Sequence, residues 1–147
     1  MELRDSQADA LERVAAAEAR GVRAQLIVAA AGLGKPVMFT ELARRRGGRT
    51  LILAHRDELI GQAAAKVREV WPEAPVGIVK GPVSEVRQQV VVASVQTLAR
   101  PARLAELTGP FTEATLLGRC DPFDLVVVDE AHHAAAESYR AILAGLR

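Results

Sequence analysis

Val126-Val127-Val128-Asp129-Glu130-Ala131-His132-His133 is an apolar, β-branched run that ends on two adjacent carboxylates followed by histidines. A continuous β-branched run predicts a strand buried on both faces, and such strands belong to parallel sheets. The carboxylates then fall at the strand's carboxyl end, where ligands of open α/β sheets bind. Far upstream, Leu26-Ile27-Val28 leads into Ala29-Ala30-Ala31-Gly32-Leu33-Gly34-Lys35, a small-residue loop that closes on a lysine and opens a helix. Small residues let backbone N–H groups wrap a phosphate closely, and the lysine adds positive charge near the terminal phosphates. Together the two motifs outline a nucleotide-hydrolysis site.

The loop departs from its type in one place. Pro36 stands where a Ser or Thr is needed, and Ala29 holds the first glycine's place. Proline removes both the hydroxyl that would hold Mg²⁺ and a backbone N–H that would point toward the phosphates. It is tolerated in a first helical turn, where that N–H has no helical partner, so the expectation is an intact fold with weak nucleotide binding and reduced Mg²⁺-dependent turnover. Gly-Leu-Gly-Lys alone also fits an ordinary tight connection, and Asp129-Glu130 alone fits an acidic helix start that complements the dipole.

Between the motifs, apolar strands alternate with amphipathic helices. A first helix starts near Asp5 or Ser6, with capping-box spacing from Ser6 to Asp9, carries Leu11, Val14, Ala15 and Ala19 on one face, and ends at Gly21. Leu26 to Ala30 reads as a strand, followed by a helix through Val37, Met38, Phe39 and Leu42 that stops at Gly47-Gly48. Thr50 to Ala54 is a buried strand, and a helix with Leu59, Ala63, Val67 and Val70 closes at Trp71-Pro72. Val76 to Val79 and Val90 to Ala93 are further buried strands, with a short helix around Thr97 to Leu107. Thr108 to Pro122 reads as loop with one short helix, then come strand Leu125 to Val128 and a helix bearing Tyr139, Ile142, Leu143 and Leu146 on one face. This order predicts an α/β fold of three layers, a mostly parallel sheet with helices on both faces.

The 147 residues suit one compact domain, and half are apolar, enough for a core. A net charge of +1 with interspersed signs gives no bulk electrostatic preference for nucleic acid or membrane. Cys120 is the only cysteine, and the polar Met1-Glu2-Leu3-Arg4-Asp5 start is not a secretion signal, so a soluble, cytoplasmic protein without membrane spans is expected. His132 and His133 have no Cys or His at metal-ligand spacing.

Asp129-Glu130-Ala131-His132 resembles the signature of the DEAD/DEAH-box helicases of superfamily two, and the chain looks like their first RecA-like P-loop NTPase domain. It is most similar to the group that includes the type III restriction enzyme ATPase and RadD-like helicases, on the strength of Ala54-His55-Arg56-Asp57-Glu58-Leu59-Ile60 and Val91-Val92-Ala93-Ser94-Val95-Gln96-Thr97-Leu98. The resemblance implies ATP and Mg²⁺ as cofactors. Lys35 becomes the phosphate-binding lysine with Ala31, Gly32, Leu33, Gly34 and Pro36 around it, Asp129 the Mg²⁺ carboxylate, Glu130 the base that positions water, and His132 the link between nucleotide and nucleic acid. Arg4 and Gln7 are similar to the segment that reads adenine, and equally fit surface residues at a helix start.

The resemblance also implies a nucleic-acid partner, DNA in preference to RNA, contacted through its backbone by Arg56 and Thr97. Arg56 also fits a solvated residue beside Asp57, and Thr97 a residue that helps start a helix. Arg44-Arg45-Arg46-Gly47-Gly48-Arg49 reads as a helix end complementing its dipole rather than as a DNA patch. The sequence stops at Arg147, before the Ser/Thr-Ala-Thr segment such helicases carry, and a second RecA-like domain is not expected within it. Three readings follow: the amino-terminal motor domain of a helicase or restriction translocase, impaired by Pro36; a degenerate, non-hydrolysing module that binds nucleic acid or a partner protein; and an unrelated P-loop kinase, for which no lid or second substrate site is seen.

Overall fold

The computed structural model describes residues 2–29, 32, 34–108, 123–130 and 136–146. Their elements run α1 (Asp5–Ala19), α2 (Lys35–Arg46), β1 (Thr50–Ala54), α3 (Asp57–Val70), β2 (Val76–Lys80), β3 (Val83–Ser84), β4 (Val90–Ser94), α4 (Val95–Leu98), α5 (Pro101–Thr108), β5 (Leu125–Val128) and α6 (Glu137–Gly145).

The strands lie in the order β3-β2-β4-β1-β5. The pairs β1 with β4, β1 with β5 and β2 with β4 are parallel, while the short β3 folds back antiparallel on β2. Alternation along each strand divides the interior between two faces. On one face Ile52, Ala54, Val90 and Val92 meet Phe39 of α2 and Ile60, Ala63, Ala64 and Val67 of α3, with Val127 packed against them. On the other, Leu51, Leu53, Val91 and Ala93 meet Leu98 of α4, Leu107 of α5, and Tyr139 and Ile142 of α6, with Val126 and Val128 alongside. This is the expected three-layer arrangement. Leu51, Ile52, Leu53, Val91 and Val92 are fully buried, each contributing about 1.5–3 kcal/mol by leaving water.

The expected strand from Leu26 to Ala30 is not formed. Residues 23–29 are irregular, and Leu26 and Val28 are 71% and 87% exposed; Ala30 lies outside the described residues. A lone extended segment leaves its N–H and C=O groups to water, and apolar content alone does not replace a hydrogen-bonding neighbour. Among the described residues nothing pairs with this segment, and β5 has a partner only on its β1 side.

Smaller departures have local causes. β2 is half-buried in alternation rather than buried throughout, because β3 and the loop after it cover it only in part. The expected helix around Thr97 to Leu107 is two helices broken at Arg100-Pro101, since proline disfavours helical geometry in the residue before it. Helix α1 begins at Asp5 with Arg4 as its cap residue, and the Arg4 N–H donates to Gln7 Oε1 at 2.9 Å, so Ser6 and Asp9 do not form the capping pair. Its Leu11 and Val14 are buried as expected, whereas Ala15 and Ala19 are exposed.

Arginines at the end of α2 serve the fold. Arg44 and Arg45 both donate to Glu41, at 2.8 to 3.0 Å, and hold its carboxyl below the usual range. Arg46 pairs with Glu18 of α1 and donates to the Asp124 carbonyl. No helix among the described residues is long and apolar enough to cross a membrane.

Candidate functional site

Helix α2 is tied to the amino-terminal end of the sheet by Arg46, and at that end the Asp124 N–H donates to the Arg49 carbonyl at 2.9 Å. Twelve helical residues rise about 18 Å, and a five-residue strand spans about 16 Å. The first turn of α2, with Gly34 and Lys35, therefore sits level with the carboxyl ends of β1 and β5. There the Asp129 N–H still donates to the Leu53 carbonyl, at 3.0 Å, so the ladder continues one residue past β5. Val127 faces the α2 and α3 side, and Asp129, two residues on, follows it. Strand direction thus carries Lys35 and Asp129 toward the same, carboxyl edge of the sheet.

The backbone turns sharply after Asp129. Glu130 has φ 56°, the sole positive φ outside glycine among the described residues, and its N–H donates to Asp129 Oδ1 at 3.0 Å. A left-handed non-glycine residue costs of order 1–3 kcal/mol and is held by its surroundings. That bond leaves the second oxygen of Asp129 for another partner. Both residues are partly exposed.

The loop before α2 is braced by α1. Gly34 caps α2 in the left-handed region with φ 73°, and Val37 and Met38 donate to its carbonyl. A Cβ built on Gly34 would lie 2.5 Å from Gln7 Nε2. Gln7 is buried, and Arg4 Nη1 donates to the Gly32 carbonyl at 3.4 Å. Arg4 and Gln7 are thereby brought to the loop. Pro36 occupies the first turn of α2, and its carbonyl accepts the Thr40 hydroxyl at 2.6 Å. Ala31, Leu33 and His132 lie outside the described residues.

Arg56 and Thr97 stand farther along the same edge. Arg56 is the exposed cap residue of α3, next to Asp57, which pairs with Lys80 at 3.5 Å. Thr97 is 8% exposed; its hydroxyl accepts the Gly81 N–H at 3.1 Å, and its own N–H donates to Ser94 Oγ, the cap of α4. Thr97 thus has a structural duty, while its hydroxyl keeps a proton to donate.

Sequence reading counted Tyr139 only as packing for the last helix. It is 1% exposed, and burial first, then the charges of Asp129 and Glu130, push its phenol above the ordinary value. A hydroxyl on an otherwise apolar helix stripe was the available signal.

Comparison with known proteins agrees with this fold. The family described as "Type III restriction enzyme, res subunit" matches residues 1–147. The chain is 33% identical over 153 residues to the "Putative ATP-dependent helicase IRC3" of Saccharomyces cerevisiae, covering 96% of this chain and 20% of that protein. It is 33% identical over 67 residues to UvrABC system protein B of Staphylococcus haemolyticus, covering 46% of this chain and 10% of that one. A solved structure of a nuclease-deletion mutant of the type ISP restriction-modification enzyme LlaGI, in complex with a DNA substrate mimic, shares the fold with a TM-score of 0.65 at 20% identity, over 96% of this chain and 16% of that one. The chain thus spans about a fifth or less of the lengths of these proteins. Residues 1–147 belong to the type III restriction enzyme res-subunit family of superfamily-two helicases, as its amino-terminal RecA-like domain.

Proposed function

We propose that this domain binds ATP with Mg²⁺ at the carboxyl edge of its sheet and serves as one half of a nucleic-acid helicase or translocase motor. The reading is supported by strand direction and by the length of α2, which carry Lys35 and Asp129 toward the carboxyl edge of the sheet. Helicases of the family use ATP and Mg²⁺. The residues here suit both in kind. Gly32, with open space where a side chain would stand, leaves room for close backbone approach, Lys35 binds the terminal phosphates, and Arg4 and Gln7 border the loop where a base would lie.

Asp129 offers a hard carboxylate oxygen suited to Mg²⁺. Among the described residues no cluster of three or more His, Cys, Asp or Glu gathers, so the ion would be held mainly by Asp129, nucleotide phosphates and water. When bound, it neutralises charge developing on the phosphates. Glu130 orients the attacking water and accepts its proton, and His132 links the nucleotide to bound nucleic acid. Arg56 and the Thr97 hydroxyl contact the strand through its phosphates, which gives affinity without sequence preference; DNA is favoured over RNA by likeness to restriction enzymes.

Pro36 makes this site poorer by one hydroxyl and one N–H. Unwinding further requires a second RecA-like domain supplying an arginine to the transition state, a contribution of about 10³–10⁵ in phosphoryl-transfer enzymes. Calorimetric titration of Mg·ATP into the parent, Lys35→Ala and Asp129→Asn proteins tests the reading. Lys35→Ala should abolish binding, and Asp129→Asn should abolish its Mg²⁺ dependence. Equal affinities in all three would reject it and favour a non-hydrolysing module that binds nucleic acid or protein, as Pro36 also allows.

A further inference from the structure

We propose that Lys80 is a further contact to the nucleic-acid backbone, held by Asp57 in the free protein and passed to a phosphate when a single strand binds. The inference rests on the reading of Arg56 and Thr97 as backbone contacts, and it adds to them a residue joined to the surroundings of both.

Lys80 closes β2, where Ile78 packs on the α3 side of the sheet and Val79 on the other. Alternation therefore sends Lys80 to the α3 side. Its ammonium stands 3.5 Å from Asp57 Oδ2, on the residue that follows Arg56. The next residue, Gly81, is fixed from another direction: its N–H donates to the Thr97 hydroxyl at 3.1 Å, and its carbonyl accepts from Arg103 of α5. Arg103 also donates to the Val83 carbonyl at 2.9 Å. Lys80 thus leads into a turn whose backbone is pinned, with Arg56 next to its ion-pair partner and Thr97 bonded to its chain neighbour.

The ion pair is of a kind that a phosphate can displace. The Lys80 and Asp57 side chains are 41% and 62% exposed, and exposed pairs hold only weakly. At 3.5 Å the groups are also farther apart than the roughly 2.7–2.9 Å of a charge-assisted hydrogen bond. Displacement does not strand the carboxylate, because Asp57 lies in the first turn of α3, where an acid complements the helix dipole. Arg103, by contrast, is committed to the Gly81 and Val83 carbonyls and to Glu106, so it holds the turn while Lys80 supplies the charge. A lysine acts on phosphate as a point charge, which gives affinity and salt dependence without preference among bases.

The full chain is titrated into a short fluorescein-labelled oligodeoxythymidylate, without nucleotide and over a series of salt concentrations, with binding read by anisotropy. Lys80→Gln should weaken binding roughly five- to tenfold at low salt and lower the slope of log affinity against log salt by about 0.7, the value for one phosphate contact on a single strand. Lys66→Gln, which breaks a comparable surface pair with Glu69 farther along α3, should change neither. Asp57→Asn should tighten binding in the parent and much less in Lys80→Gln, since its competition acts through Lys80; an equal gain in both backgrounds overturns the proposed exchange. Unchanged affinity and slope in Lys80→Gln, alongside weakened binding in Arg56→Ala, overturns the proposal and leaves the reading of the nucleic-acid edge intact. A parent chain that fails to bind the oligonucleotide at low salt overturns both.

Discussion

The Gln7 amide fills the space that a side chain at Gly34 would need, 2.5 Å from the position of a Cβ there. Helix α1 and the loop before α2 are therefore fitted to each other through a glycine that also has a left-handed backbone, with φ 73°. Gly34→Ala should destabilise the domain by about 1–2 kcal/mol through backbone strain, with a further loss from the contact with Gln7. Urea denaturation of Gly34→Ala, and of Gly34→Ala combined with Gln7→Ala, separates the two parts. The second change should recover the steric part and leave the backbone part.

Pro36→Thr restores a hydroxyl and an N–H at the start of α2. One charge-assisted hydrogen bond contributes about 1.5–3 kcal/mol, so the affinity for Mg·ATP should rise by about tenfold or more. Comparing titrations with and without Mg²⁺ apportions the gain, because the hydroxyl contributes only with the metal and the N–H contributes in both. Identical affinity of parent and variant under both conditions would count against proline as the defect.

Val28 and Ile52 are equally apolar in sequence and opposite in surroundings, 87% and 0% exposed. Val28→Ser should change stability by no more than about 0.5 kcal/mol, whereas Ile52→Ala should cost about 2–5 kcal/mol. Chemical denaturation of the two variants decides whether the segment before the loop is part of the sheet. A large loss at Val28 would restore the strand expected there.

Glu41 is held below its usual carboxyl range first by its hydrogen bonds with Arg44, then also by Arg45, against the opposing effect of burial. A depressed folded-state value means that the unfolded chain takes up the proton first. The stabilisation is therefore complete well above the ordinary glutamate value of 4.5 and is lost as pH falls through the lowered folded-state value. Melting temperatures of parent and Glu41→Gln should differ most near neutral pH and converge in acid. A gap that stays constant down to the acid limit would show that the carboxylate charge is not responsible.

Strands whose partners are local in space and rich in Val, Leu and Ile were legible residue by residue: Thr50 to Ala54 and Leu125 to Val128 form as read. Leu26 to Ala30 shows the limit of that reading. Apolar β-branched composition reports a tendency, while a strand exists only where a neighbour accepts its hydrogen bonds. The two-residue β3 was invisible because it has no period to detect, and it is defined by pairing with Val79 and Lys80.

At the candidate site, residue types and their order were readable, and strand direction alone sets which edge of the sheet they follow. The close fit of Gln7 to Gly34 and the burial of the Tyr139 hydroxyl were not, since both depend on contacts between segments distant in the chain. Thr97 shows a mixed case: its helix-starting surroundings were anticipated, whereas its bond to Gly81 depends on the β2 hairpin.

The interior ribbon β1 has one further consequence, for the order in which the molecule takes shape. Thr50 aligns with Val90 on one flank and with Leu125 on the other, so β1 emerges from synthesis long before either partner exists. Pairings this remote in sequence are slow to close and leave apolar segments uncovered meanwhile. The interval before β5 arrives is when the nascent chain is most exposed to aggregation and most in need of a chaperone.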